Sequence, residues 1–361
     1  MIKFLDIYTQ DKNIHKAILN NIKKLFIKGD FILGDAVSKF EKKFRNYCGS
    51  KFAIGCANGT DALTLALISL NLPKKSEVII PAMTYCSTAF SVINANLKPI
   101  LVDIDYKKPT INIDEIEKKI TKKTRVIMPV HLYGSVVEIS KIKKIIRKKK
   151  IFIIDDCAQA HGAKDHKGRS VGSLSDISTF SLYPGKNLGS YGDAGIITTK
   201  HKSFFLKLKK LRNLGSVEKF KHDVVGMNSR LDTIQALVLN EKIKNLNNYN
   251  YKRRKIASFY KKNINNKKIT KLIYSKNCVY HQYVILVNDR KKFSKYLDKN
   301  KIQYGYHYPK CIHELEVFKK ENKGSKFPNS ELISKKGISL PIDPNLSKQD
   351  LNYICNKINE F

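Results

Sequence analysis

The chain has 361 residues, long for one ordinary domain, and apolar residues make up 42% of it, enough for a large buried core. Its formal net charge is +37, but lysines run from end to end instead of gathering on one face or tail, which argues against a nucleic-acid binder and leaves a positive field suited to an anionic substrate. Seven cysteines with no CxxC pair argue against a disulfide framework or a zinc cage. The start has no signal-peptide apolar stretch and no apolar run is long enough to span a membrane, so a soluble, cytoplasmic protein is expected.

The first thirty residues read as an N-terminal arm and helix. Strand candidates follow at 52–57, 78–81, 99–104, 125–130 and 151–154. Helical spacing fills the gaps at 61–70, 87–95, 113–120 and 139–147. Strands alternating with helices at this spacing predict βα units and a mainly parallel sheet. The strands are short continuous apolar runs, as expected when helices cover both faces. Two more strands are predicted at 177–181 and 195–199, then a helix at 203–212. One long helix is predicted from about Arg230 to about Asn263. Beyond it come a strand at 280–287, a helix at 292–300, a strand at 302–306 and a last helix from Asp350. The expected division is residues 1–30 as arm and helix, 31–245 as a large ligand-binding domain, and 246–361 as a smaller α+β domain.

In open parallel sheets, ligands bind beyond the carboxyl ends of the strands. Three segments at such places carry chemistry. In Asn58-Gly59-Thr60-Asp61 a strand gives way to a helix, so free N–H groups and the helix dipole can hold a phosphate. Plain N-capping by Asn58 or Thr60 explains the same residues. In Asp155-Asp156-Cys157-Ala158-Gln159, acids end a buried strand and suit a cationic ligand group; a capping acid in a polar loop is the alternative. In Ser181-Leu-Tyr183-Pro-Gly-Lys186-Asn-Leu-Gly189 a strand runs into a loop carrying a lysine, and a lysine in a cleft can bond a carbonyl covalently once its amine is partly deprotonated. Nothing in its own chemistry separates Lys186 from the other lysines; its context does.

Together these segments resemble the DegT/DnrJ/EryC1/StrS family of sugar aminotransferases. The likeness runs along essentially the whole chain: Gly34-Asp-Ala36, Asn58-Gly-Thr-Asp-Ala-Leu63, Val130-His-Leu-Tyr-Gly134, Asp156-Cys-Ala-Gln-Ala-His-Gly162, Tyr183-Pro-Gly-Lys-Asn-Leu-Gly189, Gly192-Asp-Ala-Gly195, Arg212-Asn-Leu-Gly215, Asn228-Ser-Arg-Leu-Asp232, His307-Tyr-Pro309 and Leu340-Pro341. Each piece is modest; their joint order is specific. The resemblance implies an α/β fold of the fold-type I aminotransferase kind, with a mainly parallel seven-stranded sheet between helices and a smaller C-terminal α+β domain. It implies pyridoxal 5'-phosphate as cofactor, with Lys186 as the lysine that bonds it. Asp156 then pairs with the pyridine nitrogen, and Gln159 lies near the phenolic oxygen. Gly59, Thr60, Asp61 and Ser181 hold the phosphate, and Tyr85 stacks on the ring. Asn228 reaches the neighbouring subunit's phosphate, which implies a homodimer with shared sites. Tyr183, His307 and Tyr308 meet the sugar nucleotide.

Some relatives carry histidine at the lysine position and dehydrate their substrate; lysine here favours transamination. Asp155 stands where glutamate is common, and Asp156 is expected to face the ring. His131 and His161 read as structural or supporting residues, and without close histidine pairs no metal site is expected. The segments around Lys186 and Arg212 look most like the branch that aminates C3 of dTDP-linked 3-keto-6-deoxyhexoses, with glutamate as donor. UDP-linked 3-keto sugars and C4-keto nucleotide sugars are the alternatives, and a cofactor-binding regulatory homologue without turnover is the alternative of another class.

Overall fold

The strands predicted between residues 52 and 199 all form: β1 (Phe52–Cys56), β2 (Glu77–Pro81), β3 (Lys98–Val102), β4 (Thr124–Ile127), β5 (Phe152–Asp156), β6 (Ile177–Ser181) and β7 (Gly195–Thr199). The computed structural model describes residues 1–218 and 220–361. The seven strands make one sheet in the order β1-β7-β6-β5-β4-β2-β3. Only β7 runs against its neighbours; the other pairings are parallel.

Alternate residues of a strand point to opposite faces. Ala53, Ile79, Ile127, Ile153 and Ile196 enter one apolar cluster, while Ile54, Val78, Ile80, Val126, Ile154 and Ile197 enter another. Both faces are therefore buried under helices, which is why the strands read as continuous apolar runs. The helices Gly59–Ser69, Cys86–Asn94, Ile113–Lys119, Ile139–Ile145 and Lys202–Leu211 match expectation to within two residues at most ends. A further helix, Asp35–Cys48, follows the Gly34 motif and buries Val37, Phe40 and Phe44 against the first cluster. A second sheet, antiparallel, has the order β10-β9-β8, with β8 (Ile269–Lys271), β9 (Tyr283–Val287) and β10 (Gly337–Leu340). Its core includes Ile256, Tyr260, Ile285, Leu297 and Ile354.

Three expectations are corrected. The long helix from Arg230 to Asn263 is two helices, Thr233–Lys242 and Leu246–Asn263, joined by a 3₁₀ turn at Ile243–Asn245. Just before that turn, Lys242 is 2% exposed and its Nζ bonds Asp11 Oδ2 at 2.7 Å. The tighter turn changes the register of the buried face, so the first helix packs on Asp35–Cys48 and the second on Lys348–Glu360. Residues 302–306 are not a strand. Ile302 makes one bridge to Ile2 and Gly305 one to Ser339 of β10, so the segment lies between the N-terminal residues and β10 without a ladder. The strand predicted from Tyr280 starts at Tyr283, because Val279 N and His281 N donate to Gly134 O and Tyr133 O instead. No helix among the described residues is long and apolar enough to cross a membrane.

Candidate active site

A cavity of about 740 Å³ opens at the carboxyl ends of β1, β2, β4, β5 and β6. Every site residue expected from the sequence lines it except Asn228, which is exposed outside it.

At the end of β1, Asn58 caps helix Gly59–Ser69 by accepting the Asp61 N–H at 2.8 Å. The cap is thus Asn58, and the Thr60 hydroxyl is left to the cavity, where it meets Ser87 Oγ at 2.7 Å. Ser87 sits in the first turn of helix Cys86–Asn94, so two helix N-termini converge here and their dipoles add. Gly59 is required by sterics: a Cβ there would stand 2.6 Å from Ser181 Cβ. The result is a cradle where the Thr60, Ser87 and Ser181 hydroxyls and two helix starts meet, as an anion site requires.

β5 ends in two acids that face opposite ways. Asp155 is fully buried toward His131, whose Nε2 is 3.6 Å away. Asp156 lines the cavity at 5% exposure. Its Oδ1 accepts the Ala158 N–H at 3.1 Å and its Oδ2 the Thr88 hydroxyl at 2.9 Å; Thr88 in turn meets Thr84 at 2.8 Å. Burial pushes the Asp156 carboxyl above the usual range, against those two hydrogen bonds and the nearby charge of Lys186. A buried carboxylate so placed gains from a cationic ligand nitrogen.

β6 leads into the lysine loop. Lys186 N bonds Tyr183 O at 2.9 Å, and Gly189 closes the loop where a Cβ would lie 2.4 Å from Pro184 O. Asn187 is buried and tied to Asn250, Val279 and His281, which anchors the residue after the lysine. Burial lowers the Lys186 amine from 10.5 to about 8, and the Asp156 charge acts in the other direction. Free-base amine is therefore present near neutral pH, as bonding to an aldehyde requires.

Tyr85 stands at the mouth, 54% exposed, with its ring 5.4 Å from that of Tyr308. Gln159 is committed within the chain: its Oε1 accepts from Tyr133 N at 2.6 Å and its Nε2 donates to the Tyr308 hydroxyl at 2.8 Å. It faces the cavity through Tyr308. His307 bonds Ser339 Oγ through Nδ1 at 2.8 Å and stacks on Phe4 at 5.9 Å. Burial and the Lys186 charge hold its ring at about 4, so it is neutral. His161, fully buried, is held at about 3 for the same reasons.

Sequence reasoning did not pick out Ser87, Thr84, Thr88, His281, Gln282, Phe4 or Leu5, of which only the i,i+4 spacing of Thr84 and Thr88 beside Tyr85 offered a local signal. His131, Asp155 and Cys157 bring metal-ligand atoms within 4.8 Å of one another, all buried. They lie behind the site and do not line it.

A phosphate, a basic ring nitrogen and an aldehyde each find a partner of the right chemistry here: the Gly59 cradle, Asp156 and Lys186. The pyridoxal-phosphate-dependent aminotransferases of fold type I are built this way, and this chain is one of them. It belongs to the DegT/DnrJ/EryC1/StrS aminotransferase family, which matches residues 12–359. It is 40% identical, across 100% of this chain and 99% of the relative, to the dTDP-3-amino-3,6-dideoxy-alpha-D-galactopyranose transaminase of Aneurinibacillus thermoaerophilus. It is 34% identical to the UDP-N-acetyl-3-dehydro-alpha-D-glucosamine 3-aminotransferase of Acidithiobacillus ferrooxidans, over 99% of this chain and 97% of that one. The crystal structure of Streptomyces venezuelae DesV in complex with a ketimine intermediate superposes with a TM-score of 0.96 at 32% identity, covering 99% of this chain and 98% of that chain. The chain is a sugar aminotransferase.

Proposed function

We propose that this enzyme moves an amino group from glutamate to C3 of a dTDP-linked 3-keto-6-deoxyhexose, working as a homodimer with shared active sites. The observation that carries the substrate is the full-length 40% identity to a transaminase named for a dTDP-3-amino-3,6-dideoxyhexose. Residues 31–245 then form the cofactor domain, and the smaller domain at 246–361 brings His307 and Tyr308 to the cavity.

When bound, the cofactor supplies an electron sink for the charge left on a carbon that loses its proton. Asp156 holds the ring nitrogen in its protonated form. Gly59, Thr60 and Ser181 would hold the phosphate where the two helix starts meet the end of β6, while Asp61, whose N–H is taken by Asn58, lines the same cavity. Tyr85 stacks on the ring, and Gln159 acts at its oxygen side through Tyr308. Lys186, partly free base, would hold the cofactor through its aldehyde, and its amine, once released, is the group that would move a proton to and from the substrate carbon. Tyr183, His307 and Tyr308 meet the sugar nucleotide. Asn228 is exposed and does not line its own cavity, which suits a role at the partner's phosphate.

The test runs the reaction backwards. Holoenzyme with 2-oxoglutarate is offered dTDP-3-amino-3,6-dideoxyhexoses, UDP-linked 3-amino sugars and 4-amino nucleotide sugars, and glutamate is measured. The dTDP-linked 3-amino sugars should give the highest kcat/KM. A UDP-linked or 4-amino sugar preferred tenfold or so would replace this substrate.

A further inference from the structure

The N-terminal segment forms part of the cavity wall, and the steps above give it no task. The first residues of a domain stay loose unless they are tied down. These are tied at both ends. Ile2 N donates to Lys301 O at 2.8 Å, Gln303 N to Ile2 O at 3.0 Å, and Phe4 N to Gln303 Oε1 at 2.8 Å. Asp6 N donates to Asp343 Oδ2 at 2.8 Å. Farther on, Asp11 is fully buried, and its Oδ2 accepts from Lys242 Nζ at 2.7 Å and from the Tyr191 hydroxyl at 3.0 Å. Tyr191 belongs to the loop that follows Lys186. Between these anchors, Phe4 and Leu5 both line the cavity, and neither is fully buried. Phe4 stacks on His307, with ring centroids 5.9 Å apart and planes at 17°. Leu5 flanks Gly185, the residue before Lys186: a Cβ there would lie 3.8 Å from Leu5 Cδ2 and 3.6 Å from Tyr183 Cε1. Phe4 and Leu5, with His307 and Tyr183, therefore make an aromatic and apolar wall that reaches the lysine loop.

We infer that Phe4 and Leu5 belong to the nucleotide-sugar site, as a wall against which the hexose packs, and that Gln303 positions this wall through its bond to Phe4 N. The cofactor's groups find their partners elsewhere in the cavity, at the Gly59 cradle, Asp156, Tyr85 and Lys186. Glutamate is a short chain between charged groups and offers such a wall little to bury. A hexose offers the C–H faces of its ring, and covering them with apolar side chains takes that surface out of water. This rests on the substrate being a nucleotide-linked hexose and holds for either base and either carbon.

The test compares two amino donors on the same resting holoenzyme in single turnovers, followed by the loss of the cofactor band. One is glutamate; the other is dTDP-3-amino-3,6-dideoxy-α-D-galactose, replaced by a UDP-linked 3-amino sugar if the native enzyme prefers it. Phe4→Ala and Leu5→Ala should each lower the second-order rate constant for the amino sugar about tenfold. The constant for glutamate should stay within about twofold of native in both. Phe4→Leu, which keeps an apolar side chain, should recover most of the loss. Gln303→Met changes no side chain that lines the cavity and keeps the volume, but it frees Phe4 N; it should lower the sugar constant about fivefold and spare glutamate. If Phe4→Ala does not fold, Leu5→Ala and Gln303→Met carry the test. An unchanged sugar constant in Phe4→Ala and Leu5→Ala, or an equal fall for both donors in any of these variants, overturns the wall. If the native holoenzyme reacts with glutamate and with neither amino sugar, the hexose reading itself falls, and the wall with it.

Discussion

Adding one methyl group at Gly59 tests the phosphate cradle without removing any polar atom. In Gly59→Ala the new Cβ would lie 2.6 Å from Ser181 Cβ, 3.0 Å from Ser181 Cα and 3.2 Å from Ser181 Oγ. Carbon pairs normally stop near 3.5 Å, so the overlap is close to an ångström. It cannot be relieved cheaply. Ser181 is the last residue of β6 and pairs with Gly195 of β7, while Gly59 opens a helix capped by Asn58. Overpacking of this kind costs about 1–3 kcal/mol. The strain falls on the two segments that together hold the phosphate, so it should appear as weaker cofactor binding by roughly 5–150-fold. The assay is titration of apoenzyme with pyridoxal phosphate, followed by absorbance, with thermal unfolding in parallel. Gly185→Ala is the control: its Cβ would meet nothing closer than 3.6 Å, in the same lysine loop, and its cofactor affinity should stay within about threefold of native. Native affinity in Gly59→Ala, or an equal loss in Gly185→Ala, would refute the cradle.

Three further expectations follow from the same geometry. The amine of Lys186 titrates at about 8, so roughly a quarter is free base at pH 7.5, against roughly one in a thousand for a lysine at 10.5. The rate of cofactor capture by apoenzyme should rise with pH through a midpoint near 8, and Asp156→Asn, which removes the charge that raises this amine, should move the midpoint lower; a native midpoint near 10.5 contradicts this. Thr88→Val removes one of two hydrogen bonds that orient Asp156 and should lower kcat about tenfold and shift the pH dependence of the cofactor's absorbance, with Thr88→Ser restoring both; unchanged spectra would make Thr88 a packing residue only. Asn228→Ala should weaken cofactor retention, and mixing it with an inactive Lys186→Ala chain should give hybrid dimers with one repaired site; no effect on retention argues against a shared site.

Much of this was legible before the structure, and the reason is local. β1 to β7 are buried on both faces, so each is a short apolar run bounded by turn residues, and the βα rhythm shows directly. The three-stranded sheet was hard to read: β8 has three residues, β10 has four and begins where a helix ends, and neither shows a period. Residues 302–306 look like a strand because Ile302, Tyr304 and Tyr306 are strand formers at alternate positions, but their neighbour is the chain's own start; Phe4 N bonds Gln303 across 299 residues. The site divides in the same way. Lys186, Asp156 and the Gly59 cradle sit in compact motifs at strand ends. Thr88, His281 and Phe4 gain meaning only from partners far away in sequence, as Thr88 does from Asp156, 68 residues on. Gln159 shows the limit from the other side: its motif was clear, but the Tyr308 hydroxyl that occupies its amide comes from 149 residues away.

The central claim is that one lysine among very many bonds the cofactor. Holoenzyme reduced with borohydride, digested and mapped by mass should carry the pyridoxyl group on Lys186, in a single peptide, and the cofactor's visible band should vanish in step with the labelling. A label on any other lysine, or bleaching with no label at Lys186, would contradict the account.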